Sequence, residues 1–341
     1  MAFRLWRTER QVVVMRIVIN GFGRIGRTVL RQILTLPDGQ GVTIAAINDI
    51  APLETCAYLF KYDSVFGPYP GPVDAGDASL IIGDLEIPFS READLSALDL
   101  EGVDVVMECT GKADTGEIAR RGLDAGAANI LISGPSRAAE KTIVLGANEE
   151  QLGKHRIVSN GSCTTNALAP LLRGLDDAIG IGTGHMTTIH CYTGSQPMVD
   201  APRGPLERSR AGGVSMVPTT TSATKLVGKV VPRMSGRITG AAVRVPAISV
   251  SAVDLTVTWE RPLGEPVNEM LQRVFAGSPV IGFTGDRVVS TDMRTRPESL
   301  VIALPETLSA SDRQARIFGW YDNEWGFSRR MIDMARLMSA R

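Results

Sequence analysis

Histidine and cysteine are scarce in this sequence, and neither occurs in the arrangement of a metal site. The chain has 3 His and 4 Cys, the cysteines being Cys56, Cys109, Cys163 and Cys191. Because no two cysteines form a CxxC pair, the sequence predicts neither a zinc site nor a disulfide framework, and we expect no metal ion. Unpaired cysteines are typical of a reducing compartment, which favours a cytoplasmic protein.

Strong net charge and long apolar runs are also missing. The formal net charge is −1, which gives no basic surface for nucleic acid. Without a run of about 18 apolar residues, no membrane-spanning helix is predicted. Residues 1–14 mix charged and apolar side chains and lack the core of a signal peptide, so we expect a disordered leader or a misassigned start there. A length of 341 residues predicts about two domains.

A glycine-rich turn follows the first strand-like segment. Residues 15–20 form a short apolar run, and Gly21, Gly23 and Gly26 come next in GxGxxG spacing. Residues 27–36 then carry apolar side chains at helical spacing. In a dinucleotide-binding fold such glycines allow a tight turn and bring the backbone and helix N-terminus close to a pyrophosphate. The alternative is a tight turn that binds nothing.

An acidic residue supports the dinucleotide interpretation. A second predicted strand at 42–47 leads to Asp49, which lies where a carboxylate binds the adenosine ribose in such folds. The same carboxylate repels a 2′-phosphate, and no arginine follows it directly. The sequence therefore predicts NAD, rather than NADP, as the cofactor.

The rest of the first half alternates strands with helices. The further predicted elements are strands at 103–107, 130–133 and 143–146 and a helix at 115–125. This alternation predicts an α/β fold with a mostly parallel sheet. Thr110 and Ser133 come at strand ends, where ligands bind in such sheets, so both are candidate cofactor contacts; each could also be an ordinary loop residue.

Cys163 is predicted at the N-terminus of a helix. A strand at 157–160 precedes it, and an apolar helical segment follows at 167–175. The partial positive charge of a helix N-terminus stabilises a thiolate and lowers the thiol pKa. Ser162 and Thr164 flank Cys163 with hydroxyl groups, which favours a nucleophile over a small buried apolar residue.

A nucleophilic cysteine needs a base, and the candidates are few. His155 lies in a polar turn, whereas His185 and His190 share a strand-like segment at 184–192. Five residues apart on a regular strand, these two point to opposite faces, so at most one faces Cys163. Elimination favours His190 as the base, and the alternative is that His190 is a structural histidine with its hydrogen bonds satisfied.

At these residues the sequence resembles the glyceraldehyde-3-phosphate dehydrogenase family, from Met15 onward. The matching segments are INGFGRIGR at 19–27, SCTTN at 162–166, TTIHCYT at 187–193, LVGKVVP at 226–232, RVP at 244–246 and WYDNEWGFS at 320–328. The resemblance implies a Rossmann NAD-binding domain at 15–162 and an α+β catalytic domain, with a mostly antiparallel sheet, at 163–324. It also implies a C-terminal helix, 325–341, that packs on the first domain.

The resemblance assigns roles to individual residues. NAD would be held by Gly21, Gly23, Arg24, Ile25, Gly26, Asp49, Arg91, Thr110, Ser133 and Asn323. Cys163 would be the nucleophile and His190 its base. One anion pocket would contain Thr193 and Arg244, and a second would contain Ser162, Thr164, Arg208, Thr221 and Ser222. In the family the loop with Arg208 lies against a neighbouring subunit, so a homotetramer is implied.

The implied reaction is the oxidation of D-glyceraldehyde 3-phosphate with NAD and inorganic phosphate to 1,3-bisphosphoglycerate, through a thioester on Cys163, in glycolysis or gluconeogenesis. The partners would be this small phosphorylated aldehyde and phosphate, with no nucleic acid and no membrane. Two alternatives stay open. An erythrose-4-phosphate dehydrogenase shares the fold and the Cys–His pair, and an inactive NAD-binding regulatory protein would have no need of that pair.

Overall fold

The structure is a computed structural model that describes residues 14–37 and 41–341. The predicted leader at 1–14 lies outside these residues except for Val14, which is exposed. Two sheets, of nine and eight strands, organise the described part of the chain. Within that part, no helix is both long and apolar enough to cross a membrane.

The first sheet is mostly parallel. Its strands are β1 (Met15–Asn20), β2 (Val42–Asn48), β3 (Val73–Ala75), β4 (Ser79–Ile82), β5 (Leu85–Ser90), β6 (Val105–Glu108), β7 (Asn129–Ile132), β8 (Lys141–Thr142) and β9 (Ile157–Ser159), and its helices are α1 (Arg24–Thr35), α2 (Leu53–Lys61) and α3 (Gly116–Asp124). The order is β3-β4-β5-β2-β1-β6-β7-β9-β8. From β1 the chain adds β2 on one side and β6 on the other, which opens a crevice at the carboxyl ends of these strands. This doubly wound topology confirms the predicted Rossmann-type fold.

The central strand shows why this part of the sequence folds as it does. Ile17, Val18 and Ile19 of β1 are all fully buried, as expected for a parallel strand that is covered on both faces. Val29 and Leu30 of α1 are also fully buried and cover one face of the sheet. The glycine turn between β1 and α1 is therefore held at both ends by fully buried residues.

The second sheet is mostly antiparallel, as predicted. Its strands are β10 (Ile181–Cys191), β11 (Val217–Thr219), β12 (Ile238–Val245), β13 (Ser251–Trp259), β14 (Ile281–Thr284), β15 (Leu300–Ala303), β16 (Leu308–Ser311) and β17 (Gln314–Tyr321), and its helices are α4 (Cys163–Ala178), α5 (Ala223–Val230), α6 (Val267–Val274) and α7 (Trp325–Ser339). The order is β11-β12-β10-β13-β17-β15-β14, with β16 paired to β17. Parallel pairing occurs between β10 and β12 and between β14 and β15.

Helices α4 and α7 connect the two sheets: α4 covers the second sheet, and α7 contacts both α4 and the first sheet. The buried face of α4, with Leu168, Leu171 and Leu175, packs against the second sheet. Helix α7 packs against α1 of the first sheet, where Gln32 Nε2 donates to the Trp325 carbonyl at 2.7 Å. The segment just before α7, which follows β17, is thereby held next to the glycine turn.

One predicted strand is wrong. Residues 143–146 form a turn, and the strand β8 in this region is the shorter Lys141–Thr142. The Asn148 side chain explains the difference, because it accepts from the Val144 N–H at 2.8 Å and donates to the Thr142 carbonyl at 3.0 Å. Ile143 and Val144 are fully buried in this turn, so an apolar run of strand length enters the core without strand pairing.

Candidate active site

Cys163 is the first residue of α4, which begins four residues before the apolar segment predicted at 167–175. Ser162 is the N-cap: its hydroxyl accepts from the Thr165 N–H at 3.1 Å and also contacts the Thr165 hydroxyl at 2.7 Å. This cap starts the helix before its apolar run. It places the Cys163 thiol, which is half-buried, in the field of the helix N-terminus.

The two histidines of β10 point to different environments. His190 is buried, with Nε2 3.6 Å from the Cys163 sulfur. His185 is near the surface and shares a hydrogen bond of 2.9 Å with the Thr239 hydroxyl. His155 lies beside Glu140, 3.5 Å away, in the turn before β9. The structure thus brings His190, and neither of the other two histidines, next to Cys163.

Charge and burial act in opposite directions on this pair. Burial raises the pKa of the Cys163 thiol, whereas the Thr164 hydroxyl and the positive charge of Arg244 oppose the change. Burial, followed by the charge of Arg244, lowers the pKa of His190 to about 4. The lowered thiol pKa expected from the helix terminus is therefore wrong in direction. Both shifts favour the uncharged forms of the thiol and the imidazole, and Nε2 is the ring nitrogen that faces the thiol proton.

Two groups compete for the other ring nitrogen of His190. The Cys191 carbonyl lies 2.7 Å from Nδ1 and can only accept a hydrogen bond. Arg244 Nη1 lies 2.6 Å from the same Nδ1 and can only donate. Since Nδ1 cannot donate and accept at once, these contacts belong to different tautomers. The tautomer that donates to Cys191 leaves Nε2 unprotonated toward Cys163.

A buried tyrosine, Tyr321, packs against His190 and is hydrogen-bonded to the residue after Cys163. The Tyr321 hydroxyl lies 2.8 Å from the hydroxyls of both Thr164 and Thr188. Its ring meets the His190 ring edge-on, with centroids 6.1 Å apart. Thr164 was expected in an anion pocket; it is buried, and its hydroxyl is bonded to Tyr321 inside the protein.

The glycine turn borders a cleft at the carboxyl ends of β1, β2 and β6. The expected cofactor residues that line it are Gly21, Gly23, Asp49 and Thr110. Gly21 has φ +92°, and a Cβ there would lie 2.7 Å from the Thr110 nitrogen. A Cβ on Gly26 would lie 2.2 Å from the Gly21 carbonyl oxygen. Only glycine fits these two positions, so the backbone itself forms the wall of the cleft.

The other expected cofactor residues of the first sheet lie around this cleft. Asp49 accepts from the Phe22 N–H at 2.6 Å and from the Ala51 N–H at 2.9 Å. The Thr110 hydroxyl is bonded to the Glu108 carboxylate, and the Ser133 N–H donates to the Glu108 carbonyl at 2.9 Å. Arg91 donates to the Ile50 carbonyl at 3.1 Å, one residue after Asp49. The carboxylate is thus held by backbone donors at the expected ribose position.

Arg24 and Ile25 begin α1 but use their side chains elsewhere. The Arg24 guanidinium is paired with Asp63 at 2.6 Å and with Glu324 at 2.5 Å. Ile25 packs on the main hydrophobic core. What these two residues offer a ligand is therefore their backbone N–H groups at the helix N-terminus.

Asn323 follows β17 and is buried, and its Oδ1 accepts from the Cys191 thiol at 3.1 Å. The preceding Asp322 accepts from the backbone N–H groups of Glu324 and Trp325 at 3.0 and 2.8 Å. The side chain of Asn323 is therefore bonded directly to Cys191, the residue after His190. This link spans 132 residues of sequence.

Of the residues expected to bind anions, the two arginines lie near enough to His190 for their charge to act on it. In the first expected group, Arg244 donates to the Cys191 carbonyl at 3.0 Å, and the Thr193 hydroxyl meets that of Ser195 at 2.9 Å. In the second group, Arg208 Nε donates to the Thr219 hydroxyl at 2.9 Å, close enough for its charge to lower the pKa of His190.

Thr221 and Ser222 complete this second group at the start of α5. The Thr221 hydroxyl accepts from the Ala223 N–H at 3.1 Å. Ser222 is the N-cap residue of α5, yet its side chain makes no capping bond. The hydroxyl that Ser222 adds to this loop is therefore not used by the helix.

Sequence reasoning missed two residues of the site. Glu108 is buried and receives hydrogen bonds from Asn20, at 2.5 Å, and from Thr110. Its signal was an acid that ends a wholly apolar strand. Tyr321, whose ring packs edge-on against His190, is likewise a side chain with a polar group at the end of a strand, β17. Across the residues that the structure describes, no group of three or more His, Cys, Asp or Glu could hold a metal ion.

Known proteins match this chain over nearly its full length. A family model described as "Glyceraldehyde 3-phosphate dehydrogenase, NAD binding domain" matches residues 15–116, and the corresponding C-terminal domain model matches residues 162–323. Glyceraldehyde-3-phosphate dehydrogenases of Cereibacter sphaeroides and Pseudomonas aeruginosa are each 44% identical, covering 96% of this chain and 99% of theirs. Glyceraldehyde-3-phosphate dehydrogenase 2 of Bacillus subtilis is 40% identical, covering 96% and 97%.

Proposed function

The chain belongs to the glyceraldehyde-3-phosphate dehydrogenase family, and from that premise we propose that it oxidises D-glyceraldehyde 3-phosphate with NAD and inorganic phosphate to 1,3-bisphosphoglycerate. Membership confirms the resemblance drawn from the sequence motifs. The observation that carries the proposal is the 3.6 Å contact between the Cys163 sulfur and His190 Nε2 at the start of α4. Neither alternative, the erythrose 4-phosphate enzyme or the inactive regulatory protein, is favoured by the relatives' names.

The cleft fits a dinucleotide in shape and chemistry. Gly21 and Gly26 leave a backbone wall that a side chain would fill, and the start of α1 offers N–H groups to a pyrophosphate. The Asp49 carboxylate is placed to accept the ribose hydroxyls, and Asn323 would hold the nicotinamide carboxamide. NAD, when bound, supplies the hydride acceptor.

Cys163 and His190 carry out the first half of the reaction. The sulfur attacks the aldehyde carbon while His190 Nε2 takes the thiol proton and passes it to the former carbonyl oxygen. His190 then removes this proton from the thiohemiacetal hydroxyl as hydride leaves the same carbon. The product of these steps is a thioester on Cys163, with the proton held on His190.

The two anion groups serve the second half. Inorganic phosphate, held by Arg208 and its hydroxyl neighbours, attacks the thioester carbon and releases its own proton to solvent as the C–O bond forms. The C–S bond breaks, and the Cys163 sulfur leaves with the proton held on His190. Arginine suits both pockets because guanidinium makes charge-assisted, often bidentate hydrogen bonds to phosphate. Arg244 with Thr193 would hold the phosphate that the substrate already carries.

The remaining proposals concern the domain boundaries, the oligomeric state and the cellular location. We divide the chain into an NAD-binding domain at 15–162, completed by the C-terminal helix, and a catalytic domain at 163–324. A homotetramer is supported by an exposed apolar loop around Arg208, in which Met198 is 92% and Leu206 88% exposed. Apolar patches of this kind mark interaction surfaces. The four free cysteines support a cytoplasmic location.

Cofactor choice gives a first test. We expect kcat/KM for NAD to exceed that for NADP by about tenfold or more, because Asp49 accepts ribose hydroxyls and repels a 2′-phosphate. Asp49→Asn, which preserves the shape, should narrow this ratio, whereas Glu54→Gln on the exposed start of α2 should not. Initial rates at 340 nm provide the measurement. Equal values for the two cofactors in the unmodified protein would rule out the ribose role of Asp49.

Substrate choice tests the proposed function itself. Erythrose 4-phosphate has one more CHOH unit between aldehyde and phosphate, so a phosphate held at Arg244 would misplace its aldehyde relative to Cys163. A misplacement of about 1 Å can cost roughly a hundredfold in rate. We expect kcat/KM for glyceraldehyde 3-phosphate to be at least about tenfold higher. A preference for erythrose 4-phosphate would overturn the triose assignment and leave the mechanism standing.

A further inference from the structure

Cys191 touches both halves of the proposed reaction centre. It is the last residue of β10, follows His190 directly and is fully buried. Its carbonyl accepts from His190 Nδ1 at 2.7 Å, and its backbone N–H donates to the Ser251 hydroxyl at 3.2 Å. Its thiol donates to Asn323 Oδ1 at 3.1 Å. One residue thus connects the base to the asparagine after β17.

The thiol of Cys191 acts as a hydrogen-bond donor at any working pH. Burial raises its pKa to about 12, so the proton stays on sulfur. The Ser251 hydroxyl, which accepts from the Cys191 backbone N–H, opposes this rise in the pKa of the thiol without overcoming it. Asn323 Oδ1 lies 3.1 Å from the sulfur, whereas His190 Nδ1 lies 3.9 Å away. That nitrogen is already engaged by the Cys191 carbonyl or by Arg244, so the S–H points to Asn323.

This bond fixes the orientation of the Asn323 amide. A side-chain amide carries an acceptor and a donor that exchange places when the group turns by about 180°. With Oδ1 held by the Cys191 thiol, the Nδ2 hydrogens are the part left for a ligand. A turned amide would lose the S–H···O bond and present its oxygen to the ligand instead.

We propose that Cys191 is a positioning residue for the cofactor: its thiol holds the Asn323 amide so that Nδ2 donates to the nicotinamide carboxamide. The inference rests on the cofactor role of Asn323 in the proposed function. It gives Cys191 a part in setting which face of the nicotinamide ring meets the Cys163 adduct, without any contact of its own with the substrate.

The test measures NAD affinity directly, by quenching of protein fluorescence. Cys191→Ala should weaken NAD binding about threefold to tenfold, the effect of losing one buried hydrogen bond. Cys191→Ser, which keeps a donor in the same place, should restore most of the affinity. Cys56→Ala is the matched control: this cysteine is buried in α2 and should leave NAD affinity unchanged. Among these three cysteine variants, only Cys191→Ala should show an increased fraction of deuteride transferred to the opposite face of NAD.

A double-mutant cycle separates positioning from a structural effect. Asn323→Ala should weaken NAD binding, and adding Cys191→Ala to it should cause no further loss, because the thiol acts only through the amide. Equal losses in both backgrounds, or an unchanged affinity in Cys191→Ala, would overturn the inference while the function stands. Unchanged affinity in Asn323→Ala would overturn the cofactor role of Asn323 and the inference with it.

Discussion

Replacement of Cys163 with serine is expected to lower kcat/KM for glyceraldehyde 3-phosphate by about four orders of magnitude or more. A serine hydroxyl holds its proton far more tightly than a thiol, so the same His190 would generate far less of the nucleophilic anion from serine. NAD binding should stay within about twofold of the parent, since removing a nucleophile leaves cofactor binding energy in place. Stopped-flow rates and fluorescence titration measure the two quantities.

Alkylation supplies the independent control for this prediction. Burial raises the pKa values of Cys56, Cys109 and Cys191 to about 11, 12 and 12. Cys163 differs from them because the helix N-terminus, Thr164 and Arg244 all favour its thiolate. Iodoacetamide should therefore label Cys163 first, as read by peptide mass spectrometry. If another cysteine reacts first, or if the serine variant keeps substantial activity, Cys163 is not the nucleophile.

Features encoded over short stretches of sequence were the ones that could be predicted. The GxGxxG turn and the start of α4 depend on neighbouring residues, since Gly26 packs on the Gly21 carbonyl and Ser162 caps the helix of Cys163. Strand alternation likewise separated His185 from His190. The failure at 143–146 has a local cause too, because Asn148 bonds the backbone of a run whose apolar composition resembles that of a strand.

Contacts between distant residues had no such local signal. Tyr321 reaches Thr164 across 157 residues, and Arg24 reaches Glu324 across 300. The sequence pattern could not indicate that the Thr164 hydroxyl is occupied or that the Arg24 side chain is committed to an ion pair. The direction of the Cys163 pKa shift was predicted wrongly for the same reason, because the burial that raises this pKa arises only when the two sheets are assembled.

Arg244 has two effects that a single substitution can separate. It is placed to hold the substrate phosphate, and its charge also lowers the pKa of His190, from whose Nδ1 it lies 2.6 Å away. A bound phosphate would attract the guanidinium away from Nδ1. The ring could then donate from Nδ1 to the Cys191 carbonyl and keep Nε2 as the base. The phosphate on the substrate would thus favour the reactive tautomer as well as anchor the molecule.

Arg244→Ala should therefore lower kcat/KM for glyceraldehyde 3-phosphate by about a hundredfold to a thousandfold, the cost of losing a charged partner in a partly buried pocket. Free glyceraldehyde makes no phosphate contact, and its kcat/KM should stay the same or increase, since Nδ1 loses its competing donor. Thr193→Ala should act in the same direction with a smaller effect. Arg237→Ala is the matched control that should affect neither substrate, because Arg237 lies just before β12, at the end away from Arg244, and is paired with Glu260. The decisive quantity is the ratio of the two specificity constants in each variant: an equal loss for both substrates would mean that Arg244 maintains the site as a whole and does not recognise phosphate.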